Sequence, residues 1–525
     1  MKKFLLALLW FVSSAALAQS YPSPTYKNVT ITGGITGGTI TGLSAPIPFA
    51  SGGTNASTAT GATNQLQYLQ GATGSVARSL TNKLQDSVSV LDFTGCDATG
   101  AADSTTCLQN VLAGTSAAFI PPGTYKISGT LNLSKNGQAL VGAGTGLVTI
   151  TSTSTTAPML TATSGLANLY VGGFTLTRSV TAVPGGNGID FAGAVLSTSK
   201  IDSVNVNNQW NGITLGSTDF STVSNAIVQT NQNYGVYQTN TGSNGQVQWY
   251  VNNLLSQKNG NDGWHIQTQT GPPQITVGTW TALYTFANSG FGFAAFGSAS
   301  VPVQDVRIVG GFLGQDAKSE IYLDTYGDQH KIDGTFVELA GTAATGPTLG
   351  TPASNVGSGI EVTGNNTTVQ LTGVHSYGNS LDGFYLAATS NGIGNCRSMN
   401  NGAAATAGRA NGINVVSGRA VINGGTFGNT GAGTSQKYGV FVADGNNLSV
   451  MGADLSNNAT GAWGATSNLS YVSSVGNLPN TLNVGLSPQG TVLVGGGATG
   501  GFGAGAGTIN VSGGLLKNNT AYTNP

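Results

Sequence analysis

A short hydrophobic pattern recurs along the middle of the chain: a small or polar residue, usually followed by glycine, precedes two apolar residues separated by one variable position. Successive copies begin 22 to 39 residues apart, and a degenerate copy, TGAWG, follows at 460–464. The ten copies are NGIDF (187–191), NGITL (211–215), YGVYQ (234–238), DGWHI (262–266), SGFGF (289–293), SEIYL (319–323), SGIEV (358–362), DGFYL (382–386), NGINV (411–415) and YGVFV (438–442).

The spacing of these motifs predicts a repeat architecture, because periods of 20–50 residues are typical of solenoids, propellers and arrays. Four-stranded propeller blades need about 40 residues or more, and the Leu/Asn signature of leucine-rich repeats is absent. Each unit has room for about three short strands. Stacked along an axis at about 4.8 Å per turn, such units form a parallel β-helix, whereas a glycine-rich β-sandwich would not repeat one motif at near-constant spacing.

The amino-acid composition and net charge exclude two classes of protein, nucleic-acid binders and chains disordered by charge. The 525 residues include 81 glycines, only 7% of them are charged, and the net charge is −1. A chain without surplus cations is a poor nucleic-acid binder, because it cannot neutralise phosphates. Disorder driven by charge is excluded as well, since 39% of the residues are apolar.

The first residues, MKKFLLALLWFVSSAALAQS, have the pattern of an export signal: two lysines, a nine-residue apolar run and a small-x-small site ending at Ala18. The apolar run is too short for a membrane span, which takes about 20 residues, and no later stretch is long enough. We therefore expect a secreted protein without a membrane span. The expected organisation is a signal peptide at 1–18, a low-complexity linker at 19–85, a β-helix at 86–465 and a glycine-rich tail at 466–525.

The chain has three cysteines, Cys96, Cys107 and Cys396. Cys96 and Cys107 lie eleven residues apart and could close a small loop in an oxidising compartment, with Cys396 left over. Three unpaired thiols are the alternative. The spacing fits no metal-binding motif.

The stretch LDFTGCDATGAADSTTCLQNVL (91–112), followed by IPPGTY (120–125), resembles the opening of the pectate-lyase-like right-handed β-helix superfamily. This resemblance implies a right-handed solenoid whose N-terminal end is covered by a capping helix. Leu108, Val111 and Leu112 have the spacing of such a helix, and the polar run at 104–106 could cap it. The sequence departs from the family pattern in having Cys96 and Cys107 around the turn.

Three further stretches resemble bacteriophage tail fibres and tailspikes: PFASGGTNASTATGA (48–62), GSVARSLTNKLQDSVSVLDF (74–93) and GTINVSGGLLKNNTAYTNP (507–525). The resemblance implies a polysaccharide as binding partner and a homotrimer as the assembled form. An export signal is unusual for a virion component, and a secreted version acquired by horizontal transfer would explain both features.

The variable position of each motif is expected to point outward, because successive side chains on a strand face opposite sides. Four of the ten outward positions are Tyr or Phe, although only 8% of the chain is aromatic. Aromatic faces suit sugar rings, and polar neighbours suit their hydroxyls; an exposed ladder that only supports strand pairing is the alternative. The expected column is Asp190, Thr214, Tyr237, His265, Gly292, Tyr322, Glu361, Tyr385, Asn414 and Phe441, of which we predict Tyr237, His265, Tyr322, Tyr385, Asn414 and Phe441 to bind substrate.

Carboxylates are scarce, 19 in all, so a group of six between residues 316 and 338 stands out. Glu320, Tyr322 and Asp324 alternate and are expected to share the outward face of one strand, with Glu361 one turn further on beside Tyr322. The diagonal from Glu361 to Glu320 or Asp324 would be about 8 Å. That separation suits inverting glycoside hydrolysis, so we predict catalysis by Glu361 with Glu320 or Asp324; a solvated acidic patch is the alternative.

Asp262 and His265 form a second candidate acid–base pair, with an ordinary surface histidine as the alternative. None of the three histidines lies in the Gly-His-Gly motif of the polygalacturonase branch of the superfamily. A lyase would need Ca²⁺ on clustered carboxylates and a basic residue, for which Arg307 and Lys318 are near in sequence. No other cofactor is expected.

Two functional hypotheses follow. The first is an exported protein that binds a polysaccharide in a groove along the β-helix and cleaves it, by hydrolysis or by elimination, of which hydrolysis is favoured. The second is a non-catalytic glycan-binding adhesin or tail-fibre-like structural protein. The fold alone cannot separate them, because function belongs to sites.

Overall fold

The computed structural model describes residues 66–84, 86–240, 247–268, 275–276, 278–341, 357–403, 409–430, 435–443, 447–465, 471–475, 516–517 and 520–521. The predicted signal peptide, most of the predicted linker and most of the predicted tail lie outside the described residues. The chain divides into two compact units, Met1–Asp86 and Ser87–Pro525. In the first unit, strands Gln67–Tyr68 and Arg78–Ser79 pair antiparallel, and a helix follows at Leu80–Leu84.

The second unit is built around one thirteen-stranded parallel sheet, whose strands are the motif strands and two that precede them. Each strand pairs with the motif strand before and after it, so that every turn of the chain adds one strand to the sheet. The strands are Leu131–Leu133, Leu160–Ala162, Ile189–Phe191, Ile213–Leu215, Val236–Thr239, Trp264–Gln267, Phe293–Phe296, Ile321–Asp324, Ile360–Val362, Phe384–Leu386, Asn411–Val415, Tyr438–Val442 and Gly461–Ala465.

The remaining sides of the coil are formed by a second parallel network of twenty-five strands. Two smaller pairs complete the strands: Ile275–Thr276 with Val303–Gln304, and Leu516–Lys517 with Thr520–Ala521. The network contains Val88–Ser89, Thr99–Asp103, Ala117–Ile120, Gly123–Ile127, Ala139–Gly142, Val148–Ser152, Leu166–Ala167, Tyr170–Arg178, Leu196–Ser197, Lys200–Asn207, Thr218–Gln229, Val247–Gln257, Thr279–Phe286, Arg307–Val309, Phe312–Gly314, His330–Asp333, Phe336–Glu338, Thr368–Thr372, His375–Tyr377, Ser390–Gly394, Arg397–Met399, Arg419–Asn423, Thr426–Phe427, Asn447–Met451 and Tyr471–Val475.

These sheets enclose a continuous apolar core. The first apolar residue of each motif stacks on its equivalent in the next turn, as Ile213 does on Val236 and Val236 on Trp264. These side chains are fully buried. Burial of stacked aliphatic and aromatic side chains is the main force holding successive turns together. The structure is therefore a right-handed parallel β-helix, as the repeat and the family resemblance predicted.

A helix at Thr105–Gly114 covers the N-terminal end of the core and buries Cys107, Leu108, Val111 and Leu112. Gln109 of this helix accepts from Asn132 N and donates to Asn132 O, at 2.8 and 3.2 Å. Asn132 lies in the first strand of the thirteen-stranded sheet, so the helix also satisfies backbone groups at an otherwise open sheet edge. The predicted capping helix is confirmed.

Cys96 and Cys107 form a disulfide, which ties the chain before the helix to the helix itself. Cys396 is a free, buried cysteine. Of the two alternatives left open by the sequence, the single bridge is the one observed.

A ladder of buried asparagines runs along one corner of the coil, next to the motif glycines. Asn231 donates its backbone N–H to Asn259 Oδ1 at 3.1 Å, and Asn259 donates to Asn288 Oδ1 at 3.0 Å. A second series begins where Asn379 donates to Asn401 Oδ1 at 3.2 Å. Each amide thus satisfies the backbone of the preceding turn, which would otherwise be left unpaired inside the protein.

The motif glycine is required because the ladder packs directly against it. A Cβ on Gly235 would lie 2.0 Å from Ser256 Oγ and 2.7 Å from Asn259 Nδ2. On Gly383 it would lie 1.7 Å from Ser398 Oγ and 2.8 Å from Asn401 Nδ2. The recurrence of glycine in the sequence is therefore a packing requirement of this corner.

One motif was assigned in the wrong register. Phe293 pairs with Trp264 and Ala294 pairs with His265, so Ala294 occupies the column position that we expected for Gly292. Gly292 is instead the motif glycine of this turn, since a Cβ there would lie 2.5 Å from Asp316 Oδ2. The sequence has glycine at both 290 and 292, and the strand pairing and the contact of Gly292 with Asp316 in the next turn distinguish them.

We expect Gly383→Ala to lower the urea concentration at which the protein unfolds, because its methyl group would collide with Ser398 Oγ and with Gly412 O, 2.6 Å away. Overpacking of this kind costs about 1–3 kcal/mol. The matched control is Gly193→Ala, whose Cβ would have no atom within 4 Å. Equal unfolding midpoints for the two variants would contradict the role given to the ladder.

Candidate functional site

The outer face of the thirteen-stranded sheet carries the column predicted from the motifs, with Ala294 in the place of Gly292. Tyr322 pairs with Glu361, and Glu361 pairs with Tyr385, so these three side chains are neighbours on successive turns. Asn414 and Phe441 continue the column. The repeat therefore correctly predicted which residues share this line.

Six rings on this face form an aromatic patch, which consists of Tyr234, Tyr237, His265, Phe291, Phe296 and Tyr322. His265 stacks on Tyr234 with the ring centres 4.2 Å apart and contacts Phe296 at 5.0 Å. Tyr322 stacks on Phe291 at 4.6 Å and contacts Phe296 at 5.4 Å. The patch is continuous across three gaps between turns and ends at Tyr322.

Three members of the aromatic patch were missed by sequence reasoning. Tyr234 and Phe291 directly precede motif glycines, and Phe296 ends its strand. The residue before the glycine forms a second outer column beside the predicted one, because both lie on the same side of the sheet. The residue that precedes the glycine of each motif is therefore the signal in the sequence that identifies Tyr234 and, with the corrected register, Phe291.

Asp262 and His265 form a buried pair within the patch. His265 Nδ1 lies 2.6 Å from Asp262 Oδ2, and the backbone N–H of Phe291 donates to Asp262 Oδ1 at 2.8 Å. The exposed fractions of the two side chains are 9% for His265 and 3% for Asp262. The carboxylate fixes the imidazole between the rings, so His265 contributes an oriented polar edge.

Arg409 joins two carboxylates at the other end of the site. Its Nε donates to Asp382 Oδ2 at 3.2 Å, and its Nη2 lies 3.4 Å from Glu361 Oε2. The guanidinium also lies over the Tyr385 ring, 4.1 Å from its centre. Arg409 was not predicted, since it precedes its motif by two residues and only the fold brings it to Glu361.

The carboxylates of this end are held firmly. Glu361 Oε2 accepts a hydrogen bond from Ser319 Oγ at 2.9 Å. Asp382 Oδ1 accepts from Asn411 N at 2.8 Å, and Asp382 Oδ2 accepts from Asn414 Nδ2 at 3.1 Å. Burial raises the pKa of Asp382, although Asn414 and Arg409 lower it in part. Asn414 is itself 4% exposed, so it supports Asp382 as well as extending the outer column.

Asp324 is on the outer face, two residues beyond Tyr322. Its Oδ1 accepts hydrogen bonds from Thr363 Oγ1 at 2.7 Å and from Asn365 Nδ2 at 2.8 Å. Burial raises the pKa of Tyr322 to about 12, and the nearby charges of Asp324 and Glu361 contribute to the rise. Tyr322 therefore keeps its proton and can donate a hydrogen bond to a ligand.

The prediction that Glu320 shares this outer face is wrong. Glu320 occupies the motif position that is usually glycine, and its side chain is fully buried. The backbone N–H of Asp316 donates to Glu320 Oε1 at 3.2 Å. Ala340, one turn further on, has no side chain that could accept this hydrogen bond, so Glu320 fills the gap in the ladder. Glu320 is therefore structural, and it is removed from the candidate catalytic pair.

The two basic residues considered for a lyase, Arg307 and Lys318, lie on different parts of the coil. Arg307 pairs with Asp305 on the second network, with Nε 2.6 Å from Oδ1, whereas Lys318 lies over the Phe291 ring at 4.8 Å. Among the residues that the structure describes, no three His, Cys, Asp or Glu side chains converge as a metal site would require. None of the described helices is long and apolar enough to cross a membrane.

We expect Glu320→Gln to be more stable than the wild type at pH 8 and equally stable at pH 4. Burial, followed by the charge of Asp316, raises the pKa of Glu320 well above its ordinary value. The folded chain thus retains a proton that the unfolded chain releases above about pH 4.3, and the associated stabilisation is lost as the pH rises. Urea unfolding across this range measures the difference.

The amide introduced by Glu320→Gln keeps the acceptor for Asp316 N without a proton to lose, which is why the two proteins should converge in acid. Glu320→Ala removes that acceptor and should be less stable than the wild type at both pH values. A difference in stability to urea between Glu320→Gln and the wild type that does not change with pH would show that Glu320 is not protonated in the folded protein.

Comparison with known proteins agrees with this architecture. Residues 87–314 match the family model described as rhamnogalacturonase A/epimerase, pectate lyase-like. No curated protein sequence matches the chain significantly. The match covers the N-terminal part of the β-helix, from the capping helix to the turn before Tyr322, and includes five of the six residues of the aromatic patch.

Solved structures are similar at the level of the fold. Bacteriophage phi29 gene product 12, in its pre-mature form, has a TM-score of 0.52 and 14% identity over 77% of this chain and 58% of that chain. The A-module of the mannuronan C-5 epimerase AlgE4 from Azotobacter vinelandii has a TM-score of 0.49 and 16% identity over 74% of this chain and 100% of that module. Tailspike protein 3 of bacteriophage CBA120 has a TM-score of 0.36 and 13% identity over 80% of this chain and 67% of its own. The predicted parallel β-helix fold is confirmed, and the family match supports the pectate-lyase-like resemblance over residues 87–314.

Proposed function

We propose that this protein binds a polysaccharide along the outer face of the thirteen-stranded sheet and hydrolyses it between Asp324 and Glu361. The observation that carries the proposal is the position of Tyr322. Its ring ends the aromatic patch, and its backbone pairs with Glu361, so a sugar bound on the patch is led directly to the carboxylates. The family model that matches residues 87–314 is named for a rhamnogalacturonase and an epimerase, which supports a glycan-related function in general terms.

The binding step uses the chemistry of a sugar ring. Its C–H groups pack on aromatic faces, while its hydroxyls need hydrogen-bond partners. Tyr237 and Tyr322 supply rings that carry hydroxyls, and the Asp262–His265 pair supplies a fixed polar edge between them. A chain that follows the axis of the coil would meet such a surface on each turn.

The cleavage step requires one carboxyl group to protonate the leaving oxygen and another to activate water. Asp324 lies diagonally across one turn from Glu361, a separation of about 8 Å that leaves room for a water molecule. Ser319 and Arg409 hold Glu361 as an acceptor, which suits the base. Asp324 has both hydrogen bonds on Oδ1, which leaves Oδ2 to carry the proton of the acid.

Export from the cell and assembly into a homotrimer are also part of this proposal. The Cys96–Cys107 disulfide supports export to an oxidising compartment. A column formed by Tyr284, Phe312 and Phe336 on the second network supports assembly, because its two end residues, Tyr284 and Phe336, are 40% and 47% exposed in the single chain. A homotrimer would cover such a column, as the tailspike resemblance implies.

Glu361→Gln and Asp324→Asn should each lower the rate at which new reducing ends form by at least about a hundredfold, since general acid–base groups contribute about 10²–10⁴. Polysaccharide binding should change much less, because the aromatic patch is intact. The assay uses purified protein with a panel of bacterial and plant polysaccharides, and records reducing ends and the absorbance of unsaturated products.

Asp333→Asn is the matched control, because Asp333 is a carboxylate on the second network, 3.8 Å from Lys331. It should cleave at the wild-type rate. If unsaturated products form, the reaction is an elimination and the proposed hydrolysis is wrong. Binding without any product from the wild type would leave the second hypothesis, a non-catalytic glycan-binding protein, as the function.

A further inference from the structure

Carboxyl groups are the main electrostatic feature of the outer face, and Asp324 is the one to which the proposed mechanism assigns a proton. Within the described part of the chain, five carboxylates lie on this face, and each accepts hydrogen bonds from the protein. Asp190, for example, accepts from Thr214 Oγ1 at 2.6 Å and from Asn187 Nδ2 at 2.7 Å. These carboxylates are Asp190, Asp262, Asp324, Glu361 and Asp382.

The nearby cations do not offset this charge for a ligand. Arg409 is shared between Asp382 and Glu361, donates to Ser358 Oγ at 3.0 Å and covers the Tyr385 ring. Lys318 lies over the Phe291 ring. A further lysine, Lys437, is two turns beyond the carboxylate end and precedes its motif glycine by two residues.

The sequence supplies no Lys or Arg to the stretches that interrupt the described residues between 240 and 447, and Asp444 is the single charged residue in them. Residues 241–246, 269–274, 342–356, 404–408 and 431–434 contain no Lys, Arg, Asp or Glu. Whatever these stretches contact, they bring no cation that could pair with a carboxylate of a ligand.

We infer that the polysaccharide bound on this face is uncharged, an inference that rests on the function proposed above. A polyuronate carries one carboxylate on each sugar, and each would lie close to a protein carboxylate without a cation to pair with it. The ammonium groups of an amino-sugar polymer would add little affinity, because the carboxylates already accept hydrogen bonds from the protein and two of them share Arg409. Rings, amides and hydroxyls remain to bind a neutral sugar.

Matched pairs of polymers test this inference. Wild-type protein is applied at 4 °C to immobilised polygalacturonate, alginate and xanthan, each beside its carboxyl-reduced form, and to chitosan beside its N-acetylated form. We expect the uncharged member to bind at least about tenfold more tightly in every pair that binds. Preference for the charged member of any pair overturns the inference while leaving the proposed function intact. Binding to no polymer of the panel contradicts both.

Lys318→Gln separates charge from packing, because Lys318 is the one cation that lies over the aromatic patch in the described structure without belonging to the proposed catalytic groups. Affinity for whichever polymer of the panel binds most tightly should stay within about twofold in this variant. It should also stay within about twofold between about 50 and about 500 mM NaCl, since screening acts only on charged ligands. A tenfold loss in either measurement shows that the site recognises an anion.

Discussion

The close approach between the motif glycines and the buried asparagine ladder is the constraint on which the structure depends. Each ladder amide satisfies the backbone of the neighbouring turn and leaves no room for a side chain on the glycine that it covers. The contact therefore fixes both the corner of the coil and the register of the strand that follows. Apolar burial supplies most of the stability, but the ladder decides which residues stack on which.

The proposed site follows from that register. A shift of one residue would turn every outer side chain of a strand inward, because side chains alternate along it. Tyr322, Glu361 and Tyr385 come from turns that are 24 to 39 residues apart in sequence, yet they form one line. The aromatic patch and the carboxylates thus become parts of one surface only because successive turns keep the same alignment.

The sequence predicted the fold and the outer column well, since both depend on a local motif that can be counted. It failed where the deciding contact lies on another turn. Glu320 was misplaced because the missing ladder side chain at Ala340 is invisible locally, and the Gly290/Gly292 choice depends on Asp316 in the next turn. Arg409 was missed because its partner Glu361 is 48 residues earlier in the chain.

The central claim is that a sugar chain lies on the outer face of the thirteen-stranded sheet with its scissile bond between Asp324 and Glu361. A crystal structure of the Glu361→Gln variant with a bound oligosaccharide of its substrate tests this most directly. The account predicts sugar rings stacked on the patch from Tyr237 to Tyr322, with a glycosidic oxygen within hydrogen-bond distance of Asp324. Sugar bound on another face, or crossing this one away from Tyr322, would contradict it.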